Sequence, residues 1–313
     1  MRAAAVDIGT NSVLLLVAER TPEGVKALVE RATITRLGEG VDRTRRLGSE
    51  AVARTNACLS DYARELSVLG VDRIDVVGTS AMRDAEGSDA VRDHVRRELG
   101  VDARVISGDE EARLTFGGAL SGMRNSEGAV VVFDIGGGST EVVRGTIDAG
   151  GRPRAVEFAR SFDVGSVRLT ERHVRSDPPT ASERDAVRAD ARRAFAAIPE
   201  GTWNGTSDPS TWPVGIAGTV TTLAAVALGL ADYDSSRVHG CVLPRAELRR
   251  VVERLATLPL AERRNLPGLQ PKRADVIVAG ALVAEAFLEH LGAGGVRISD
   301  RGVRWGLVLD ALA

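Results

Sequence analysis

Three stretches of this chain follow an apolar run with glycine or small hydroxyl residues: Asp7 to Ser12 (DIGTNS), Asp134 to Thr140 (DIGGGST) and Gly218 to Thr222 (GTVTT). Glycine after a strand lets the backbone come close to an anion with successive N–H groups pointing inward. One such turn alone marks only a turn. Two of nearly the same sequence, at matching places in a repeated pattern, predict a pair of phosphate-binding hairpins facing each other across a cleft. Asp7 and Asp134 each interrupt an apolar strand near its end, where a carboxylate is costly unless it meets a cation or hydrogen-bond donors. Magnesium takes one or two carboxylates and fills its shell with water and phosphate oxygens, so two aspartates suffice. The alternative is that each aspartate only caps its own glycine turn.

Residues 107–118 read SGDEEARLTFGG and place Glu110 and Glu111 at a helix start, where the helix dipole favours acids. Either could instead be the base for an attacking water. Hydrolysis of a phosphoanhydride needs a positioned water, neutralised charge on the transferred group and an oriented leaving group, with little covalent work by the protein. Arg83, in GTSAMRDA after a strand, is a candidate for neutralising phosphate charge. The P-loop pattern G-x-x-x-x-G-K-[ST] is absent, and Lys26 and Lys272 lie outside the glycine turns. G-x-S-x-G is also absent, so Ser139 reads as a phosphate donor and not a nucleophile. His94, His173, His239 and His290 show no metal spacing, and Cys58 and Cys241 form no C-x-x-C pair.

The elements that must position these residues follow from periodicity. Ala3 to Ile8, Val13 to Ala18 and Val25 to Thr35 read as strands. A helix from Ser49 closed by Gly70 comes next, then a strand at Ile74 to Val77, a helix at Asp89 to Leu99, a strand at Ala103 to Ile106 and a helix at Asp109 to Ala119. At Gly128 the pattern restarts with strands at Ala129 to Ile135, Thr140 to Arg144 and about Arg154 to Phe162. Asp7 and Asp134 are 127 residues apart (134 − 7), a weak internal duplication that predicts two similar lobes. Ser182, with Asp185 three residues on, reads as a capping box. Gly201 to Trp212 reads as a surface loop, Val214 to Ala217 as a strand, Gly218-Thr219 as a turn before a helix from Val220, and Arg245 to Leu255 as a helix. Ala274 to Leu291 reads as a buried helix, Val296 to Ser299 as a strand and Gly302 to Leu312 as a closing helix.

The 313 residues suffice for two domains that stand without staples. A formal net charge of −2 excludes the overall basic field of a general nucleic-acid binder while allowing a local basic groove. Since lysine occurs only twice among the 41 basic residues, positive charge at a phosphate site must come from arginine, backbone N–H groups or a metal. The N-terminus is too short in apolar residues for a signal peptide, and no run is long enough to span a bilayer, so a cytoplasmic location is expected.

Taken together, VDIGTNS, GTSAMRDA, SGDEEARL, FDIGGGSTE, DVGSVRLTE, GIAGTVTTLA, PGLQPKRADVIVAGA and ISDRGVRWGL resemble, in order and spacing, the exopolyphosphatase / guanosine pentaphosphate phosphatase family. The resemblance implies an α/β fold of two actin-like (ribonuclease H-like) domains with an interdomain cleft. They are expected at residues 1–124 and 125–313, with the last helix, about 302–313, packing back on the first. It implies Mg²⁺, with Mn²⁺ able to replace it, and stepwise release of terminal phosphate from inorganic polyphosphate. By the same resemblance Glu111 and Glu141 are catalytic together with Arg83, and it alone selects Glu111 over Glu110. Phosphate contacts are expected from Gly9, Thr10, Asn11, Ser12 and Arg83, and from Gly136, Gly137, Gly138, Ser139, Thr140, Gly218 and Thr219. Metal ligands are expected at Asp7, Asp134 and Glu141. Longer members carry further C-terminal helical domains, so a chain ending at Ala313 is expected to prefer short polyphosphate. A homodimer is expected, with no nucleic-acid or membrane partner. The alternatives are a guanosine pentaphosphate 5′-phosphohydrolase, for which guanosine penta- or tetraphosphate is substrate or inhibitor, a nucleotide-dependent kinase of the same superfamily, and a non-catalytic sensor of polyphosphate or guanosine alarmones.

Overall fold

Along the strand Arg2–Ile8 (β1), Ala4, Val6 and Ile8 pack to one side of a sheet and Ala3 and Ala5 to the other, so both faces are buried. The computed structural model describes residues 1–22, 24–123, 127–149, 152–203 and 208–313. The chain divides into two compact units, Met1–Gly118 with Val303–Ala313, and Ala119–Gly302. The division expected between residues 124 and 125 lies outside the described residues, as do residues 204–207 of the expected surface loop.

In the first unit β1 pairs antiparallel with Ser12–Thr21 (β2), which pairs with Gly24–Ile34 (β3). On its other side β1 runs parallel to Arg73–Gly78 (β4), followed by Ala103–Val105 (β5), giving the order β3-β2-β1-β4-β5. Two short helices that periodicity does not reveal, Val41–Thr44 (α1) and Ser80–Asp84 (α3), join Ser49–Leu69 (α2), Asp89–Leu99 (α4) and Gly108–Leu120 (α5). Gly70 and Gly100 stop α2 and α4 in left-handed conformations of φ 61° and 70°, which glycine adopts without penalty. Leu59, Tyr62 and Leu66 of α2 and Val91 and Val95 of α4 cover one sheet face. Val303–Ala311 (α13) covers the other with Val303, Trp305, Leu307 and Val308.

The second unit repeats the plan. Gly128–Ile135 (β6), Thr140–Ile147 (β7) and Pro153–Phe162 (β8) form the antiparallel half, and Val214–Ile216 (β9) runs parallel to β6. Gly295–Ile298 (β11) and the antiparallel edge strand Val242–Pro244 (β10) complete the order β8-β7-β6-β9-β11-β10. The two mixed sheets share the arrangement of their first five strands, β10 being an extra edge strand in the second, so the fold is a duplicated α/β one. Here too short helices escape periodicity: Ser166–His173 (α6), Ser235–Val238 (α9) and Leu260–Arg263 (α11). Ala181–Phe195 (α7), Ala217–Ala227 (α8), Arg245–Thr257 (α10) and the apolar Ile277–Leu291 (α12) build its core.

Two local expectations are corrected. The capping box of α7 is Thr180 with Glu183, not Ser182 with Asp185: Thr180 Oγ1 accepts from Glu183 N at 3.2 Å, and Glu183 Oε2 accepts from Thr180 N at 2.8 Å. Asp185 instead pairs with Arg188 at 3.3 Å. Gly218 and Thr219 are not a turn ahead of a helix. They lie in the first turn of α8, which starts at Ala217 because that residue takes the left-handed bend (φ 65°) itself. Among the described residues no helix is long and apolar enough to cross a membrane.

Candidate functional site

In the first unit, Gly9 N donates to Ser12 O at 3.0 Å to close the β1–β2 turn, and a Cβ on Gly9 would stand 3.0 Å from that oxygen. The carbonyls of the turn face the next segment: Thr10 O accepts from Gly38 N at 2.8 Å, and Asn11 O from Thr35 N at 3.1 Å and Arg36 N at 3.0 Å. A trans peptide points its C=O and N–H in opposite directions, so the N–H groups of Asn11 and Ser12 turn away from that segment. Thr10 Oγ1 and Asn11 Oδ1 are buried without a hydrogen-bond partner among the described residues. The Thr10 hydroxyl can donate, and with N–H groups of one direction beside it fits an oxygen-rich anion, whereas Asn11 Oδ1 is an acceptor and calls for a donor. Asp7, also buried, stands at the end of β1 opposite Leu14.

The two adjacent glutamates of α5 part company in the structure. Glu110 is exposed and accepts from Arg104 Nη1 at 2.7 Å. Glu111 has a side chain only 8% exposed, and its Oε2 accepts from Arg83 Nη1 at 3.0 Å. The same Arg83 nitrogen donates to Ile106 O at 3.1 Å, which fixes the guanidinium between β5 and α5. Burial separates the two acids in a way that their identical residue type cannot. Glu111 is an enclosed, oriented carboxylate with a cationic neighbour, and Glu110 is a surface ion pair.

The second hairpin repeats the first in its backbone. Gly136 N donates to Ser139 O at 3.0 Å, as Gly9 does to Ser12. Its carbonyls are again taken up from behind: Gly136 O by Ser166 N at 2.9 Å, Gly137 O by Val167 N at 2.8 Å and Arg168 N at 3.1 Å, and Gly138 O by Arg168 Nε at 2.6 Å. These bonds satisfy the N–H groups that open α6, so the glycine hairpin itself caps that helix. Gly165 is obligatory there, because a Cβ would lie 2.5 Å from Gly137 O. The peptide N–H groups of Gly137, Gly138 and Ser139 consequently turn the opposite way. Ser139 is buried, and Thr140 Oγ1 donates to Val164 O at 2.5 Å, a structural bond at the hairpin base.

Strand register pairs Asp134 with Glu141, and the same register in the first unit pairs Asp7 with Leu14. Opposed carboxylates on one face of a sheet repel each other unless a cation or donors intervene. Ser161 Oγ donates to Glu141 Oε1 at 2.6 Å. Among the described residues no group of three or more His, Cys, Asp or Glu could hold a metal ion. The Asp134–Glu141 pair offers two carboxylates, the number that a hard divalent cation such as magnesium usually takes from a protein.

Arg273, to which sequence reasoning assigned no role, packs against the start of α8. A Cβ on Gly218 would fall 2.0 Å from Arg273 Nη1, so only glycine admits the guanidinium. Arg273 is half-buried, its Nε donates to Gln270 Oε1 at 3.1 Å, and desolvation pushes the guanidinium below the usual arginine range. A cation at a helix N-terminus opposes the dipole, an arrangement that an anion between them relieves. Thr219 is buried in the same turn.

With this geometry in hand, comparison with known proteins is decisive as to class. Residues 16–313 match the Ppx/GppA phosphatase family, and the chain belongs to that family. It is 38% identical to Exopolyphosphatase 2 of Mycobacterium tuberculosis, over 99% of this chain and 98% of that one. The Guanosine-5′-triphosphate,3′-diphosphate pyrophosphatase of Vibrio atlanticus is 29% identical over 98% of this chain and 58% of its own length. Among solved structures, the Aquifex aeolicus Ppx/GppA enzyme aligns with a TM-score of 0.80 at 31% identity, over 99% of both chains.

Proposed function

We propose that this protein is an exopolyphosphatase, which hydrolyses the terminal phosphoanhydride of inorganic polyphosphate and releases orthophosphate. The observation that carries the reading is the enclosed Glu111 carboxylate, held by Arg83 in the same unit as an anion-accepting hairpin. The full-length likeness to a protein named exopolyphosphatase supports the substrate class.

In this mechanism Glu111 accepts a proton from water as the water oxygen bonds to the terminal phosphorus. The bond from that phosphorus to the bridging oxygen breaks, and the electron pair leaves with the shortened chain. Arg83 orients the carboxylate through its 3.0 Å bond and adds positive charge for the phosphoryl oxygens. Thr10, Asn11 and Ser12 present N–H and hydroxyl donors to phosphate, and Gly137, Gly138 and Ser139 do so in the second unit, whereas Gly9, Gly136 and Thr140, expected as phosphate contacts too, spend their N–H or hydroxyl on closing the hairpins. Gly218 and Thr219, with Arg273, supply a further anion contact. Asp134 and Glu141 would hold Mg²⁺, or Mn²⁺ in its place, in the second unit, and Asp7 is the first unit's own candidate ligand. The ion, when bound, neutralises phosphate charge and supports the leaving oxygen. We take the working form to be a cytoplasmic homodimer.

The Vibrio atlanticus relative keeps guanosine pentaphosphate as a second candidate substrate. Short polyphosphate, long polyphosphate, ATP and guanosine pentaphosphate, offered side by side with Mg²⁺ and with EDTA, separate the readings. Metal-dependent release from polyphosphate is expected. Release from the guanosine nucleotide alone would move the assignment to alarmone turnover, and no release from any would overturn the hydrolase reading.

A further inference from the structure

The segment after β3, residues 36–46, reads RLGEGVDRTRR, with four arginines against Glu39 and Asp42. It carries a local charge of +2 (4 − 2) in a chain whose formal net charge is −2. Backbone bonds tie one end to the first hairpin, through Gly38 N to Thr10 O at 2.8 Å and Arg36 N to Asn11 O at 3.0 Å. They tie the other end to the stretch before α4, through Glu86 N to Arg45 O at 2.9 Å and Leu47 N to Glu86 O at 3.0 Å. The arc is thus a fixed extension of the hairpin, and Arg43, Arg45 and Arg46 are exposed along it.

Several other surface arginines of this unit are matched to carboxylates: Arg31 to Glu65 at 2.6 Å, Arg54 to Glu39 at 2.8 Å, Arg96 to Asp102 at 2.6 Å, Arg104 to Glu110 at 2.7 Å, and Arg64 to Asp61, while Arg73, Arg97 and Arg113 are scattered singly without a carboxylate partner among the described residues. Arg43 and Arg45 make no side-chain hydrogen bond or ion pair among the described residues. Arg46 has only a 3.7 Å contact with Glu86, both side chains about three-quarters exposed. Arg45 also holds a left-handed φ of 54°, where glycine or asparagine would fit more easily than a long side chain. An arginine kept there, beside two more, concentrates positive charge on a segment whose other end is fixed to the hairpin by backbone hydrogen bonds.

We propose that Arg43, Arg45 and Arg46 bind phosphates of a polyphosphate chain beyond those at the Gly9–Ser12 hairpin, and so set the preference for chain length. The proposal rests on the polyphosphate reading above. Guanidinium forks match phosphate oxygens, and several exposed contacts along one polyanion gain affinity together by releasing its counterions.

Calorimetric titration of long-chain polyphosphate and of tripolyphosphate, at several salt concentrations, tests it alongside phosphate release. The variants are R43Q/R45Q/R46Q, the charge-keeping R43K/R45K/R46K, and R64Q/R96Q/R97Q as a control for net charge. For the glutamine variant, the long-chain Kd is expected to rise about tenfold more than the tripolyphosphate Kd. Its log Kd against log salt should flatten by about 2, at roughly 0.7 per lost phosphate contact. The lysine variant should recover most of the affinity. An equal loss for both ligands, or the same long-chain loss in the control, would overturn the proposal. Normal phosphate release by the wild type with no change in long-chain affinity would do so while leaving the enzyme's function standing. A long-chain binding difference without any phosphate release would support the arginine site and instead remove the hydrolase reading.

Discussion

Substituting Glu111 by glutamine keeps the size of the side chain and removes its charge. Two costs follow, and the structure sets them apart. Arg83 and Glu111 are 25% and 8% exposed at their side chains, so the pair is largely desolvated. Breaking a fully buried pair from one side costs about 3–5 kcal/mol, and the partly exposed arginine reduces this to roughly 1–3 kcal/mol. For a domain of this size that lowers the melting temperature by about 2–4 °C per kcal/mol. Losing a general base removes about 10²–10⁴ in rate, or roughly 3–5 kcal/mol of barrier. E111Q should therefore stay folded, melt several degrees lower, and release orthophosphate from polyphosphate at least about 100-fold more slowly. E110Q is the internal control: the Glu110 side chain is 42% exposed, its pair with Arg104 is worth about 0–1 kcal/mol, and its turnover should hold within about threefold. Initial rates of phosphate release and a melting curve for both variants decide the matter. An E111Q enzyme retaining more than a tenth of wild-type turnover, or an E110Q enzyme falling equally far, would refute the reasoning.

Gly218→Ala should push the Arg273 guanidinium off the start of α8, because the new Cβ would lie 2.0 Å from Nη1. The arginine end is flexible, so KM for polyphosphate should rise about tenfold with little change in melting temperature. Thr180→Ala removes the side-chain cap of α7 and should cost about 1 kcal/mol in chemical denaturation without altering KM. Burial alone would raise the Asp300 carboxyl, but hydrogen bonds from His239 and Ser235 outweigh it and hold the group below the usual carboxylate range. Its contribution is present above the unfolded value of about 3.9 and lost as pH falls through the folded value. Urea midpoints measured from pH 5 downward should accordingly drop more steeply for the wild type than for Asp300→Asn.

What sequence patterns reveal here is what local periodicity encodes. Both Asp-Ile-Gly hairpins could be placed because an apolar strand ends in glycine at each, and the long, mostly apolar run of α12 could be read as a buried helix. Helix α6 could not: its few apolar positions give little periodicity, and its first N–H groups are satisfied by Gly136 and Gly137, about 30 residues earlier. The two candidate boxes at the start of α7 have the same spacing, and the choice fell to Thr180 because Glu183 reaches the cap N–H while Asp185 turns to Arg188. The contrast between Glu110 and Glu111 is one of burial, which residue type does not carry. Arg273 meets Gly218 only through the fold, and the sole local hint was a glycine where a helix would ordinarily avoid one.

The most direct test of the central claim is ³¹P NMR of polyphosphate incubated with the purified protein and Mg²⁺. An exopolyphosphatase removes one terminal phosphate at a time. The orthophosphate signal should therefore grow from the first time point, mid-chain signal should fall in step, and chain-end signal should stay constant until chains are exhausted. A rise in chain ends ahead of orthophosphate, or no change in any signal, would contradict the account.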